Sequence, residues 1–180
     1  MVKFFHWFYT TEVHLFRLIN QYFDRKYVNS FFLTVTHFGG ARFTIAAVLL
    51  LILFTSGTIQ LLAIASAAAL TMSHLPVALL KKLFPRKRPY VRLEEINVME
   101  NPLQDHSFPS GHTTAIFAII IPFILFYPIL TAILLPLGIA VGLSRIYLGL
   151  HYPTDVLAGC LFGTAIGTLT LSFIRMLVLF

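Results

Sequence analysis

Three short polar clusters interrupt an otherwise apolar sequence, and their residue types suit chemistry on an anion. Lysine and arginine hold phosphate oxygens, lysine as a point charge and arginine as a planar fork. Histidine can act near neutral pH as a nucleophile, a base or an acid. The clusters are Lys81 with Arg88-Pro89, then Pro109-Ser110-Gly111-His112, then Ser144-Arg145 with His151 and Asp155.

Each cluster taken alone has a simpler explanation. Basic residues at the end of a membrane helix, such as Lys81 and Arg86, usually anchor the helix at the lipid headgroups. A Ser-Gly pair before a helix is usually an N-cap, and an aspartate at a helix start complements the helix dipole. Taken together, however, Lys81, Arg88 and Arg145 would repel one another unless an anion lay between them.

The cations and the start of one helix therefore predict a phosphate-binding site. A helix beginning at Ser110-Gly111 offers free backbone N–H groups and the positive end of its dipole. Glycine at position 111 lets the backbone approach a ligand closely. We expect Lys81, Arg88 and Arg145 to neutralise the oxygens of a phosphoryl group during its transfer.

The two histidines can divide the chemistry. A neutral His151 can attack phosphorus and form a phosphohistidine, which splits one difficult displacement into two easier ones. Asp155 can accept the other ring N–H, and Pro153 in the first turn of a helix would let it fold back towards His151. His112 can protonate the leaving group and later activate water. His74, two turns before Lys81, is expected to be buried packing.

Other uses of these residues remain as alternatives. His106, His112, His151 and Asp155 could bind a divalent metal ion, but that ion would sit among three permanent positive charges, so we expect no metal and no other cofactor. A lipid-phosphate transporter or flippase, or an inactive lipid-binding protein, would need only the cations. The sequence favours hydrolysis because it also carries a nucleophile, a carboxylate and an acid.

Apolar helices must position the clusters. The 180 residues are 58% hydrophobic and 11% charged, with a mean hydropathy of +0.84, whereas a soluble domain has about 25% charged residues. About 20 apolar residues cross a bilayer, so the sequence predicts an all-α membrane bundle of about six transmembrane helices in one domain, residues 1–180. The predicted spans are 43–56 with 31–38, 59–80, 113–127, 129–143 and 156–180, and residues 3–23 are predicted to span or to lie in the interface.

Connectivity places the three clusters at one membrane face. Lys81 follows the span 59–80, His112 precedes the span 113–127, and the third cluster links the last two spans. Successive spans alternate in direction, so these points share a face. The polar connection 81–110 is long enough to carry function.

The net charge of +6 and the isoelectric point of about 9.7 suit an anionic lipid or substrate. Nucleic acid is not expected as a partner, because the basic residues lie between apolar runs. Cys160 is the only cysteine, so neither a disulfide nor a thiolate metal site is expected. We expect no removable signal peptide, and the oligomeric state is left open.

The clusters together resemble the signature motifs of the type 2 phosphatidic acid phosphatase superfamily, the lipid phosphate phosphatases. Residues 81–89, 109–112 and 144–155 match the three motifs at every signature position. The resemblance implies a bundle of about six transmembrane helices. It also implies that Lys81, Arg88, Ser110, Gly111 and Arg145 bind phosphate, that His112 is the acid, and that His151 and Asp155 form the nucleophile pair.

The resemblance implies a substrate and a location as well. The chain is similar in length to small bacterial members that act on phosphatidylglycerophosphate, undecaprenyl pyrophosphate or phosphatidic acid. The positive-inside rule would place the basic site in the cytoplasm. Because several of those charges are assigned to the substrate, we follow the resemblance and expect the site at the extracytoplasmic face of the plasma membrane, in contact with the bilayer and a lipid phosphate.

Overall fold

In the computed structural model, which describes the backbone of residues 2–178 and the side chains of residues 7–177, the chain forms helices and no β-strand. The predicted all-α class is confirmed over these residues, and the last two residues of the predicted span 156–180 lie outside them. The α-helices are α1 (Val2–Asn20), α2 (Lys26–Val35), α3 (Ala41–Phe54), α4 (Gly57–Leu83), α5 (Pro89–Arg92), α6 (Gly111–Phe126), α7 (Thr131–Tyr147) and α8 (Pro153–Val178), with 3₁₀ turns at Thr36–Gly39 and Pro128–Leu130.

Helix α6 is the centre of the bundle. It is apolar on every side, which is typical of a helix that is buried all round, and residues 116–122 are all buried. Helices α3, α4, α7 and α8 pack around it. Ser66 of α4 also donates to the Ile119 carbonyl oxygen at 2.8 Å. The residues at the start of α6, Ser110 and His112, therefore lie at one end of the apolar core.

Three glycines at four-residue spacing bring α8 against α6. A Cβ atom on Gly159, Gly163 or Gly167 would lie 2.5–3.1 Å from a backbone carbonyl oxygen of α6 or of the residue before it. Small residues at this spacing allow membrane helices to approach closely. The starts of the two helices are also joined directly, since the Ser110 amide donates to the Asp155 carbonyl oxygen at 3.0 Å.

The chain is a multi-pass membrane protein with fewer clear spans than predicted. Three helical segments are long and apolar enough to cross a bilayer: Gly57–Leu83, Pro128–Tyr147 and Pro153–Leu177. The pair Lys26–Gly39 and Ala41–Phe54, bent by 56°, counts as a fourth if it forms one span. The expected number of about six is not confirmed. Helix α6 has 16 residues and is about 24 Å long, shorter than a hydrocarbon core of roughly 30 Å.

Helix α1 packs where α7 ends and α8 begins, and it is not among the candidate spans. Glu12, Phe16 and Asn20 form its buried stripe, while Trp7 and Leu15 are exposed. A polar buried stripe and an exposed apolar face fit an amphipathic helix at the membrane interface, which was one of the two alternatives for residues 3–23. Asn20 links three segments, since its Nδ2 donates to carbonyl oxygens of α7 and of the long connection, both at 2.8 Å.

The glycine contact between α6 and α8 predicts a destabilising substitution. In Gly163→Leu, the new Cβ atom would lie 2.5 Å from the Thr114 carbonyl oxygen, so the two helices must separate. Overpacking of this kind costs about 1–3 kcal/mol. Thermal unfolding in detergent should therefore begin at a lower temperature. Leu161→Ala, on the same helix at a side chain that is 62% exposed, is the control, and an unchanged unfolding temperature for Gly163→Leu would contradict the close packing.

Candidate active site

The cations of the first cluster converge on one carboxylate. Lys81 lies in the last turn of α4, and Arg88 precedes the one-turn helix α5. Arg88 is 1% exposed, and it donates from Nη2 to Asp105 Oδ1 at 2.5 Å and from Nε to the Asp105 carbonyl oxygen at 2.7 Å. Lys81 forms an ion pair with Asp105 Oδ2 and donates to the His106 carbonyl oxygen at 3.0 Å.

Asp105 supplies the negative charge that the sequence analysis assigns to a ligand. Burial alone would raise the pKa of its carboxyl, but hydrogen bonds and charges from Lys81 and Arg88 outweigh burial and lower the pKa to about 2. The group is therefore a carboxylate at neutral pH. Its side chain is 53% exposed, so an anion from solvent can replace it at the two cations.

Arg145 approaches the site from α7 and is buried. Its Nη1 donates to Thr36 Oγ1 at 2.6 Å, and its carbonyl oxygen accepts the His151 amide at 3.1 Å. Its Nε–H is a buried donor without an acceptor among the described residues. Since buried donors are normally paired, this N–H suits an anionic ligand.

The second cluster forms the start of α6. Ser110 is buried, and its hydroxyl lies 2.9 Å from Thr113 Oγ1. A Cβ atom on Gly111 would meet only Val77, at 4.0 Å, so no packing contact requires glycine there. The open space suits a ligand that approaches the backbone N–H groups. His112 interacts electrostatically with Lys81, Arg88, Arg145 and His151.

His151 lies between α7 and α8, with one ring nitrogen facing a cation and the other a carboxylate. Nε2 is 3.3 Å from Arg88 Nη1. Because a guanidinium only donates, Nε2 must be the acceptor, and the ring proton belongs on Nδ1. Nδ1 faces Asp155 Oδ2 at 3.7 Å, which is longer than a hydrogen bond of roughly 2.7–3.2 Å. Nδ1 thus faces Asp155, as predicted, but the two atoms are farther apart than in a hydrogen bond.

Burial and neighbouring cations keep His151 neutral. Burial is the largest cause that lowers the pKa of His151, to about 4, and Arg88 and Arg145 act in the same direction while Asp155 opposes them. The loop that holds the ring turns at Gly149, where φ is +76° and a Cβ atom would lie 2.4 Å from a backbone oxygen. At neutral pH the imidazole is therefore uncharged, and its Nε2 lone pair faces Arg88.

The structure adds site residues that the sequence analysis missed. Asp105 holds two cations, and Thr36 accepts from Arg145. Arg86, expected as a headgroup anchor, instead pairs with Glu12 and Asp155. The mutual repulsion of Lys81 and Arg88 could have predicted a carboxylate partner in the connection 81–110, which contains Asp105. The four-residue spacing of Glu12, Phe16 and Asn20 was a signal for a buried polar stripe on α1.

Two other histidines lie outside the site. The expected burial of His74 is wrong, because its side chain is exposed on α4. His106 is exposed, and it contacts Lys81 through its backbone oxygen. Across residues 7–177, no three side chains of His, Cys, Asp or Glu are grouped as a metal site would require.

The helical membrane fold and the three clusters at one end of it define a class of proteins. The chain belongs to the PAP2 superfamily, which it matches over residues 56–178. The predicted resemblance to the type 2 phosphatidic acid phosphatases is thereby confirmed. Helix α1, with Glu12, lies outside the matched residues.

Individual relatives match parts of the chain. It is 35% identical to the bacitracin transport permease protein BcrC of Bacillus licheniformis over 104 residues, 58% of this chain and 51% of that protein. It is 35% identical to the putative undecaprenyl-diphosphatase YbjG of Escherichia coli over 103 residues, 57% of this chain and 48% of that protein. The chain thus spans about half the length of these relatives. The crystal structure of Aquifex aeolicus LpxE superimposes with a TM-score of 0.77 and 29% identity, over 89% of this chain and 94% of that one.

The position of Asp105 predicts competition with anions. Asp105→Asn removes the negative charge that occupies Lys81 and Arg88, so inorganic phosphate should bind more tightly. We expect a gain on the order of tenfold in affinity, equivalent to about 1.4 kcal/mol, measured by calorimetric titration in detergent. Glu100→Gln, an exposed position in the same connection, is the control. Weaker phosphate binding in Asp105→Asn would mean that Asp105 holds the cations in place for the ligand.

Proposed function

We propose that this protein is a metal-independent lipid phosphatase that hydrolyses a phosphomonoester or pyrophosphate through a phosphohistidine on His151. The observation that carries the proposal is the 3.3 Å contact between Arg88 Nη1 and His151 Nε2. A buried cation and the lone pair of a neutral imidazole meet there. A phosphate drawn to Arg88 would present its phosphorus to that lone pair, and such positioning is a large part of phosphoryl-transfer catalysis.

The proposed reaction consists of two displacements. His151 Nε2 attacks phosphorus, the N–P bond forms as the bond to the leaving oxygen breaks, and His112 gives that oxygen a proton. Water then attacks the phosphohistidine, His112 takes a proton from it, and the N–P bond breaks to release phosphate. Asp155 orients Nδ1–H and balances the charge on the ring. The 3.7 Å separation of these groups would shorten in the substrate complex, as catalytic hydrogen bonds often do.

The cations have two tasks in this proposal. Lys81, Arg88 and Arg145, together with the N–H groups at Ser110-Gly111, would bind the phosphoryl oxygens and stabilise their charge in the transition state. A bound phosphate would also place negative charge among the cations that surround His112. Binding of the substrate would thereby favour the protonated form of His112 that the first step needs.

The substrate is proposed to be a lipid held in the plasma membrane, with the site at the extracytoplasmic face. Lys81, Arg88 and Arg145 would hold the phosphate, and the tail would enter between helices whose apolar side chains face outward. Undecaprenyl pyrophosphate is one candidate, since one relative bears the name undecaprenyl-diphosphatase. A panel of undecaprenyl pyrophosphate, phosphatidylglycerophosphate, phosphatidic acid and diacylglycerol pyrophosphate would rank the headgroups by kcat/KM.

The proposal predicts phosphate release that survives chelation. Purified protein in detergent should release phosphate from short-chain phosphatidic acid with EDTA present. His151→Ala should lower the rate by at least about 10³-fold, because the nucleophile is lost, while a fluorescent lipid phosphate still binds. His74→Ala, an exposed histidine on α4, should behave as wild type.

Three outcomes would contradict this proposal. Loss of activity with EDTA would favour the metal alternative. Transport of a lipid phosphate by wild-type protein without any phosphate release would favour the transporter alternative. Full turnover by His151→Ala would exclude His151 as the nucleophile.

The pH dependence follows from the two histidines. His151 attacks only when neutral, and its pKa is about 4, so kcat/KM should rise as the pH increases through about 4. The turnover number kcat should fall at higher pH, where His112 in the substrate complex loses the proton that the leaving group needs. Initial rates between pH 3 and 10, in buffers of constant ionic strength, test this. A profile with a single limb would be inconsistent with the division of roles between the histidines.

A further inference from the structure

Arg86 forms a second charged cluster, behind the nucleophile pair and separate from the phosphate-binding cations. Its Nη1 donates to Asp155 Oδ1 at 2.7 Å and to Thr154 Oγ1 at 2.8 Å. Its Nη2 pairs with Glu12. Its guanidinium carbon lies 4.0 Å from the centre of the Tyr152 ring, a cation–π contact that helps to fix the plane of the guanidinium.

Glu12 connects helix α1 to this cluster. It is 4% exposed, and its Oε1 accepts from the Thr154 amide at 3.2 Å and from the Thr154 hydroxyl. Glu12 thus satisfies an N–H group in the first turn of α8 that has no partner within that helix. The same turn carries Asp155, so α1 contributes to the geometry of the nucleophile pair.

We propose that Arg86 and Glu12 are positioning residues for the His151–Asp155 pair, an inference that rests on the proposed function. Asp155 accepts Arg86 on Oδ1 and the Tyr152 amide on Oδ2, at 2.9 Å. Two donors from different directions fix the carboxylate plane so that Oδ2 faces the ring. Glu12 in turn fixes Arg86.

The cluster also sets the charge behind His151. One cation lies between two carboxylates, which leaves one net negative charge. That charge attracts the imidazolium that forms when His151 becomes phosphorylated. Replacing Arg86 by a neutral residue would make the charge more negative, and replacing Glu12 would remove it.

Apart from Asp155, the charged groups that face His151 lie on other elements and form no ion pair with Arg86 or Glu12 among the described residues. A change at Arg86 or Glu12 should therefore shift the pH dependence through Asp155 while the phosphate-binding side chains stay in place. The facing groups are Arg88 before α5, Arg145 of α7, His112 of α6 and Asp155 of α8.

The experiment measures kcat as a function of pH for full-length variants in detergent. The quantity compared is the pH of the acidic limb, the range in which kcat rises as His151 loses its proton. Arg86→Gln should move the limb to higher pH by about 0.5–1 unit, because an unbalanced Asp155 favours protonated His151. Glu12→Gln should move it to lower pH. The double variant restores the net charge and should return the limb close to its wild-type position. Arg86→Lys should keep that position, and Lys87→Gln, the same charge change at an exposed neighbour, is the matched control.

The outcomes separate this inference from the proposed function. Wild-type protein that releases no phosphate would overturn the proposed function. An active wild type whose acidic limb stays in place in both Arg86→Gln and Glu12→Gln, or moves in the same direction in both, would overturn the positioning role. If Arg86→Gln fails to fold, as judged by thermal unfolding, Glu12→Gln decides, and an unmoved limb there overturns the inference.

Discussion

Mutual repulsion among buried cations is the constraint on which the site depends. Arg88 and Arg145 are almost fully buried, and Lys81 lies beside them. In a poorly hydrated environment such charges repel strongly unless anions accompany them. In front of His151 the chain meets this requirement in part, because Asp105 pairs with Lys81 and Arg88 while the three cations together keep an excess of two positive charges. Behind His151, where Arg86 lies, it does so with Glu12 and Asp155.

Close packing of α6 and α8 fixes the positions of the charged side chains on the two helices relative to each other. His112 on α6 and Asp155 on α8 come from segments that are far apart in sequence. The glycine contacts set the distance between the helices, and the bond from the Ser110 amide to the Asp155 carbonyl oxygen fixes their starts relative to each other. A shift of one helix along the other would move His112 relative to His151. Misplacement of reacting groups strongly reduces the rate of catalysis.

The sequence predicts which residues meet, and it does not predict how they are neutralised. Residue type, spacing and the alternation of spans lead to the three clusters and to their common face. Pairing between Lys81 and Asp105 depends on the path of a connection that has no periodic pattern, and Glu12 reaches Arg86 only because α1 folds across the end of the bundle. The expected count of about six spans is not confirmed. Helix α6, with 16 residues, is shorter than the candidate spans, and hydropathy alone does not show that other helices bury it.

The carboxylates on the two sides of His151 differ in exposure, and this difference determines the side from which an anion can approach. Asp105 is 53% exposed and Glu12 is 4% exposed. Only the exposed carboxylate can exchange with an incoming phosphate, because removal of the buried one would break its bonds to Arg86 and to Thr154 in the first turn of α8. An anion can therefore approach His151 from the Asp105 side, while the buried Glu12 side remains fixed. In the proposed in-line attack, the imidazole nitrogen, the phosphorus and the leaving oxygen would lie nearly on one line, so the phosphate would approach on the Nε2 side of the ring, away from Asp155.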